Sequence, residues 1–239
     1  MKKLLFFIIM LSSMYTKGQS SVVVYSDKVS IDLKEEIPLN SQYLDSLFYR
    51  GKVFFKDGKS ASSLMNYDLI NNGISFVNDE KKLLILDITD DLSSVNYNKR
   101  IFLPFNGALL EQIAVFNNIS LLLKRKVTFD SSVAGAYGIK SEVSSTKPIT
   151  TFAGPLSKEL GDSQTSHTTL KLDNKITITF EKKYYLLING AIKPISRIKD
   201  LKKQFPQKKD LIINYILDNR LDINNENDLK SLVKFCSEK

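Results

Sequence analysis

The chain has 239 residues, 43% of them hydrophobic and 25% charged, enough apolar material for one sizeable core or two small ones. Its formal net charge is +8, and it holds one histidine and one cysteine. A multi-histidine metal site and an internal disulfide are thereby excluded within one chain, and a catalytic triad would have to be built on His167 alone.

The N-terminus sets Lys2 and Lys3 before the apolar run 4–11, followed by small and polar residues to Gly18, the layout of a secretory signal peptide over 1–18. The apolar run is too short for a membrane anchor, which needs about 20 residues, so cleavage is expected near Gly18–Gln19. No cysteine follows the run, which excludes lipoprotein acylation, and no later stretch is long and apolar enough to span a bilayer. Cleavage would lower the net charge to +5 by removing three lysines. That charge suits weak contact with anionic lipid, acidic glycan or wall polymer; nucleic acid is a poor match, since no binding motif is present. The mature chain is expected to be exported, periplasmic or at the cell surface.

Residues 19–130 read as a β-rich domain. A β-branched run at 22–24 opens a loosely patterned lead-in, and the clear strand signal starts at Tyr49. Strands are predicted at 53–55 and 74–77, with Asp57-Gly58 as a turn and Asn66-Tyr67-Asp68 shaping the link to the next strand. Asn78 to Lys81 reads as a hairpin loop before a strand over 82–87. Strands at 101–105, 111–116 and 119–126 follow, joined at Asn106-Gly107 and Asn117-Asn118. Short strands at such spacing, with no helical pattern between them, predict an antiparallel meander.

Composition changes over 131–169, where 14 of 39 residues are Ser or Thr and only six are charged, so this stretch reads as a loop or linker. Residues 170–195 read as β-hairpins turning at Asp173-Asn174 and Asn189-Gly190. Residues 196–239 read as helices. Ser196 is the expected cap of a helix ending at Phe205 before Pro206. A second spans 208–219 with Leu211, Ile212, Tyr215 and Ile216 on one face. Asn224 or Asn225 caps a third, whose Leu229, Leu232, Val233 and Cys236 form an apolar stripe. The fold class is α+β: a β-meander body with a short helical C-terminus.

Four stretches carry a resemblance: "GKVFFKDGKSASSLMNYDLI", "SLLLKRKVTF", "GAYG" at 135–138 and "RIKDLKKQFPQKKDLIINYILDNRLDINNENDLKSLVKF". Together they resemble a group of short exported proteins of Bacteroidota that share a leader, a β-rich body around a GKV…KDG…NYD hairpin and a Lys-rich helical tail. The resemblance covers most of the mature chain. It implies an envelope location and the α+β plan, and it carries over no catalytic residue.

Chemistry-bearing patterns are sparse. HExxH, CxxC, Walker A and GxSxG are absent. His167 lies near Asp162, Ser163, Ser166 and Asp173, but serines are so frequent there that a surface or edge-strand histidine is the expected reading. Asp87, Asp90, Asp91 and Glu111 are candidates for the carboxylate pair of a glycosidase, a chemistry that needs no histidine. "DITDD" at 87–91 lacks calcium-loop spacing and reads as a solvated turn. Arg197, Lys199, Lys202, Lys203, Lys208 and Lys209 form a basic run suited to an anionic surface. Tyr184 and Tyr185 offer an aromatic platform for sugar or peptide, yet adjacent strand residues point to opposite faces, so one belongs to the core. Cys236 reads as a small buried hydrophobe. Asn118-Ile119-Ser120 and Asp45-Ser46-Leu47 fit short glycosylation patterns. No cofactor or metal is expected. The leading expectation is a non-enzymatic envelope protein that binds a partner or glycan. A carboxylate hydrolase is the first alternative, and peripheral contact with an anionic membrane or wall polymer through the basic helices is the second.

Overall fold

The structure, a computed structural model, describes residues 20–25, 30–32, 37, 39–131, 169–171 and 175–238. The leader over 1–18, most of the 131–169 stretch and His167 lie outside the described residues.

Alternating side chains and tight Asn/Gly turns favour antiparallel pairing, and every strand pair among the described residues is antiparallel. β1 (Ser20–Tyr25), β2 (Ser30–Asp32) and the short helix α1 (Leu39–Gln42) lead into two meanders. β3 (Tyr49–Phe55), β4 (Ser60–Asp68), β5 (Gly73–Val77) and β6 (Leu83–Ile85) form the first. β7 (Leu92–Tyr97), β8 (Arg100–Phe105), β9 (Ala108–Phe116) and β10 (Ile119–Ser131) form the second, and β3 joins it by pairing with β7. β11 (Thr169–Lys171) pairs with β2 as a separate two-stranded sheet. β12 (Lys175–Ile188) lies along β10, and its other edge takes β1 and β13 (Ala191–Ile195). The result is an eleven-stranded sheet followed by helices, the α+β plan read from the sequence.

Several strand assignments change. β2 falls in the stretch read as a loosely patterned lead-in, and β4 and β7 escape the sequence reading because serines interrupt their apolar pattern. In β7 a register shift opposite Phe54/Phe55 also breaks the alternation between Leu92 and Val95. The hairpin read at Asp173-Asn174 is corrected, since β11 pairs with β2 while β12 pairs with β1, β10 and β13. β12 itself runs continuously through Lys182 and Lys183, which lie on opposite faces, cross-strand from Arg125 and Lys124.

Cross-strand pairing lines up one row on the core face: Ala61, Val53, Val95, Phe102, Glu111, Leu123, Tyr184 and Ile195. Apolar residues on the first-meander side pack as one cluster, with Val53, Met65, Tyr67, Val95, Tyr97 and Phe102 buried together. On the other side Leu121, Leu123, Tyr184 and Leu186 pack beneath the helices. β9 serves both clusters, giving Leu109 to the first and Ile113 and Ala114 to the second, with Glu111 between them.

Gly51 is needed for close approach rather than for a turn. A Cβ there would stand 2.6 Å from Tyr97 Cβ, 2.8 Å from Met65 Sδ and 2.9 Å from the Asn96 carbonyl. Two of those atoms are backbone or backbone-adjacent and cannot swing aside. Gly51→Ala is therefore expected to cost about 1–3 kcal/mol, read as a lowered urea midpoint with unchanged slope.

The helices are α2 (Ile198–Gln204), a 3-10 turn (Pro206–Lys208), α3 (Lys209–Asn219) and α4 (Glu226–Ser237). The expected cap at Ser196 is corrected: Arg197 is the N-cap, and the Asp200 carboxylate accepts the backbone N–H groups of Ser196 and Arg197, each at 3.0 Å. Asn225 caps α4, its side chain accepting from the N–H groups of Asn227 and Asp228. Leu229, Leu232, Val233 and Cys236 are buried as the stripe predicts. α3 keeps most of its expected face, with Ile212 fully buried and Tyr215 and Ile216 packed against the same core, but Leu211 leaves it at 54% exposed.

Candidate functional site

The densest polar constellation in the core grows out of one anomaly in β9, a lone carboxylate in the strand "ALLEQIAVF". Glu111 is cross-strand from Phe102 on β8 and Leu123 on β10, so its side chain shares the core face with both. Two residues along each neighbour, on that same face, stand Arg100 and Arg125. Arg100 Nη1 donates to Glu111 Oε1 at 2.5 Å, and Arg125 Nη1 stands 2.5 Å from Oε2 as an ion pair without hydrogen-bond alignment. The Glu111 side chain is 5% exposed, Arg125 13% and Arg100 31%. Asp45, from the segment before β3, stands 3.6 Å from Arg100 Nη2 and accepts from Asn98 Nδ2 at 3.0 Å.

Two tyrosines border this network. The Arg125 guanidinium lies 5.7 Å from the centre of the Tyr67 ring. The Tyr97 hydroxyl accepts the Tyr67 backbone N–H at 2.9 Å. Burial pushes both phenols well above the usual tyrosine value, and the nearby Asp45 carboxylate adds to the effect on Tyr97. Burial pulls Arg100 down, but the Glu111 bond and the charges of Glu111 and Asp45 outweigh it and leave its pKa raised. Both Glu111 oxygens face guanidinium groups, so neither is presented to a substrate.

The other candidate carboxylates sit in turns. Asp87, Asp90 and Asp91 are exposed; Asp91 accepts the Thr89 hydroxyl, and its carbonyl accepts the Lys56 N–H at 2.8 Å. Asn66 and Asp68 prove to be buried turn-builders. Asn66 donates to the carbonyls of Asp45 and Leu47, and Asp68 accepts from the N–H groups of Ile70 and Asn71 and from the Ser75 hydroxyl. Among the described residues no three His, Cys, Asp or Glu side chains are grouped to hold a metal ion.

The basic run divides. Arg197, Lys199, Lys203 and Lys209 are exposed and Lys202 is half-buried. Lys208 leaves the group: its ammonium donates to the Phe235 carbonyl at 3.1 Å and to that of Glu238, and lies 5.4 Å from the Phe235 ring centre. It neutralises the carbonyl end of α4, where a cation is favoured. Cys236 is buried, and that burial raises its thiol to about 11, which leaves it protonated and unreactive.

At the other end of α4, Glu226 accepts from Lys230 at 2.8 Å and from Lys182 of β12 at 3.3 Å, pinning the helix to the sheet. Burial pushes its carboxyl up, but the Lys230 bond and the two ammonium charges more than offset this and leave it lowered. A lowered folded pKa contributes stability that is present above the unfolded value and lost as pH falls through the folded one. Glu226→Gln is expected to cost about 0.5–1 kcal/mol at pH 7. The gap from the parent should narrow as pH falls below the ordinary glutamate value and through the lowered one, as urea melts across that range would show.

Tyr184 and Tyr185 face opposite ways. Tyr184 is core, and burial pushes its hydroxyl up to about 12. Tyr185 is half-buried on the outer face and meets Phe105 edge-on, ring centres 6.0 Å apart. Beside it on β12, Lys183 stands cross-strand from Lys124. Sequence reasoning missed this pair because its partners lie far apart in the chain; the runs "KRK" and "EKK" were the available signal.

No family model matches this chain, and neither a curated protein nor a solved structure matches it.

Proposed function

We propose that this is an exported protein of the bacterial envelope that works by binding, or assembling with, a protein partner through α2 and α3 rather than by catalysis. The observation that carries this reading is the outer side of those helices. Ile198 on α2 and Leu211, Ile213 and Leu217 on α3 are exposed, Leu217 at 68%, and Arg197, Lys199, Lys203 and Lys209 are exposed on or next to the same two helices. Large aliphatics left in water among cations are the composition of an interaction surface. The same lysines would suit an anionic membrane, and no helix among the described residues is long and apolar enough to cross one. Asp210 and Asp218 are exposed on α3 itself, however, which opposes an anionic lipid surface and suits a protein. The resemblance to exported Bacteroidota proteins supports the location.

The test is capture from native envelope extracts with the mature chain, repeated with Leu211→Gln/Leu217→Gln. The captured protein, once purified, should bind the parent saturably and the double variant at least about tenfold more weakly. Equal binding by both overturns the reading.

A further inference from the structure

A second surface lies on the opposite, outer face of the sheet. Phe105, Ala108, Leu110, Gln112, Leu122 and Tyr185 share that face, because Phe105 is cross-strand from Ala108, Gln112 from Leu122, and Leu122 from Tyr185. Three strand steps separate β8 from β12, about 14 Å in a flat sheet. The Phe105 row also lies four residues along β9 from the row of Tyr185, yet the two rings stand 6.0 Å apart, so the sheet curls to bring them together, and Leu110 and Leu122 between them are fully buried. Gln112 and Ser120 stand on the same face and bond to each other at 2.8 Å.

The cations continue this surface along the same two strands. Lys124 follows Leu122 on β10, Lys183 precedes Tyr185 on β12, and the two are directly cross-strand. Lys126 is next, opposite Glu181, with 4.0 Å between the charges. Like charges directly opposed in a sheet destabilise it. Among the described residues, Lys126 alone of these three ammonium groups has a carboxylate in ion-pair reach, that of Glu181. Lys124 is half-buried, and burial followed by the charges of Lys183 and Lys126 lowers its pKa, so its surroundings are repulsive.

We propose that this face binds an anionic glycan, with Lys124, Lys126 and Lys183 taking its acidic groups and the Tyr185–Phe105 pair receiving a sugar ring. The reading rests on the chain being an exported binding protein but uses a surface separate from α2 and α3. Charge complementarity selects an anion, and the repulsion between Lys124 and Lys183 is relieved when one binds. The aromatic pair selects a ligand with apolar ring faces over a bare polyacid. Lys124 and Lys126 are half-buried and Lys183 is exposed, and the three follow the aromatic pair along β10 and β12, which suits a chain laid along the strands.

The probe is a heparin hexasaccharide titrated calorimetrically into the mature chain, with polyglutamate of equal charge and anionic phospholipid vesicles as competitors. Saturable binding is expected, weakened at least about tenfold by Lys124→Gln/Lys183→Gln and severalfold by Tyr185→Ala. Lys199→Gln/Lys203→Gln should leave it unchanged. The Lys124→Gln/Lys183→Gln variant should melt at the parent temperature or above, since a repulsion has been removed. No saturable binding, equal loss from the α2 variant, or polyglutamate or vesicles binding as tightly as the hexasaccharide each overturns the proposal. Loss of protein capture by the α3 variant with intact hexasaccharide binding bears on α3 alone. Intact capture with no hexasaccharide binding sinks only this site.

Discussion

Glu111→Ala is expected to lower stability by about 3–5 kcal/mol, because it strands two guanidinium groups in a site built for a carboxylate. The strand geometry explains the size of the effect. β9 and β10 pair from Ile119↔Phe116 as far as Leu123↔Glu111, and the named register ends there. Arg125, two residues beyond, reaches back to Glu111 from β10, while Arg100 reaches it from β8. The carboxylate thus ties three strands together between the two apolar clusters. At about 2–4 °C per kcal/mol for a domain of this size, the melting temperature should fall by roughly 10 °C. Partial exposure of Arg100 sets the lower end of the range, since that group can turn to water. Arg100 Nε has no hydrogen bond among the described residues, so the network is imperfectly satisfied. Glu111→Leu/Arg125→Met should accordingly recover at least half of the loss, as apolar replacements of buried ion pairs do. A single-variant loss under about 1 kcal/mol would mean that solvent screens the cluster.

How much of this was legible in the sequence depends on the range of the interaction that decides each feature. The hairpins at Asn106-Gly107 and Asn189-Gly190 were readable because both positions need positive φ, which Asn and Gly tolerate; all four residues have it. The turn at Asn98-Lys99 adopts the same conformation, with φ of 45° and 60°, but a lysine in second place hides it. β7 went unread with it. The stripe of α4 was legible since all its partners lie within one helix. Glu111 was noticed as an acid and read as a candidate catalyst, because nothing local announces arginines brought in by strand pairing. A single charge inside an apolar strand was the clue, and a buried ion pair is its commoner meaning. The pairing of Lys124 with Lys183 depends on the register of two strands 59 positions apart in sequence, which no local pattern can specify. The basic run at 197–209 was visible as composition, while the withdrawal of Lys208 depends on where α4 ends.

Phe102→Ala carries the other large expectation, about 3–5 kcal/mol, and it separates packing from charge at the same junction. Phe102 is fully buried and forms the middle ring of a stack: Tyr67 lies 5.2 Å away at 14° and Tyr97 5.5 Å away at 1°. Removing the ring deletes both contacts and opens a cavity beside Glu111, its cross-strand neighbour. The phenols on either side report the result. Burial holds both above the ordinary value, so the stability they contribute is intact below about pH 10 and is lost as pH rises through their folded values. In the parent, ultraviolet titration should find these two hydroxyls still protonated after the exposed tyrosines have ionised. In Phe102→Ala they should ionise earlier and alkaline unfolding should begin at lower pH. Phe102→Leu, which refills most of the volume, should restore much of the stability. If Phe102→Ala instead costs under about 1 kcal/mol with an unchanged phenol titration, the stack does not brace the junction, and Glu111 with its arginines holds it alone.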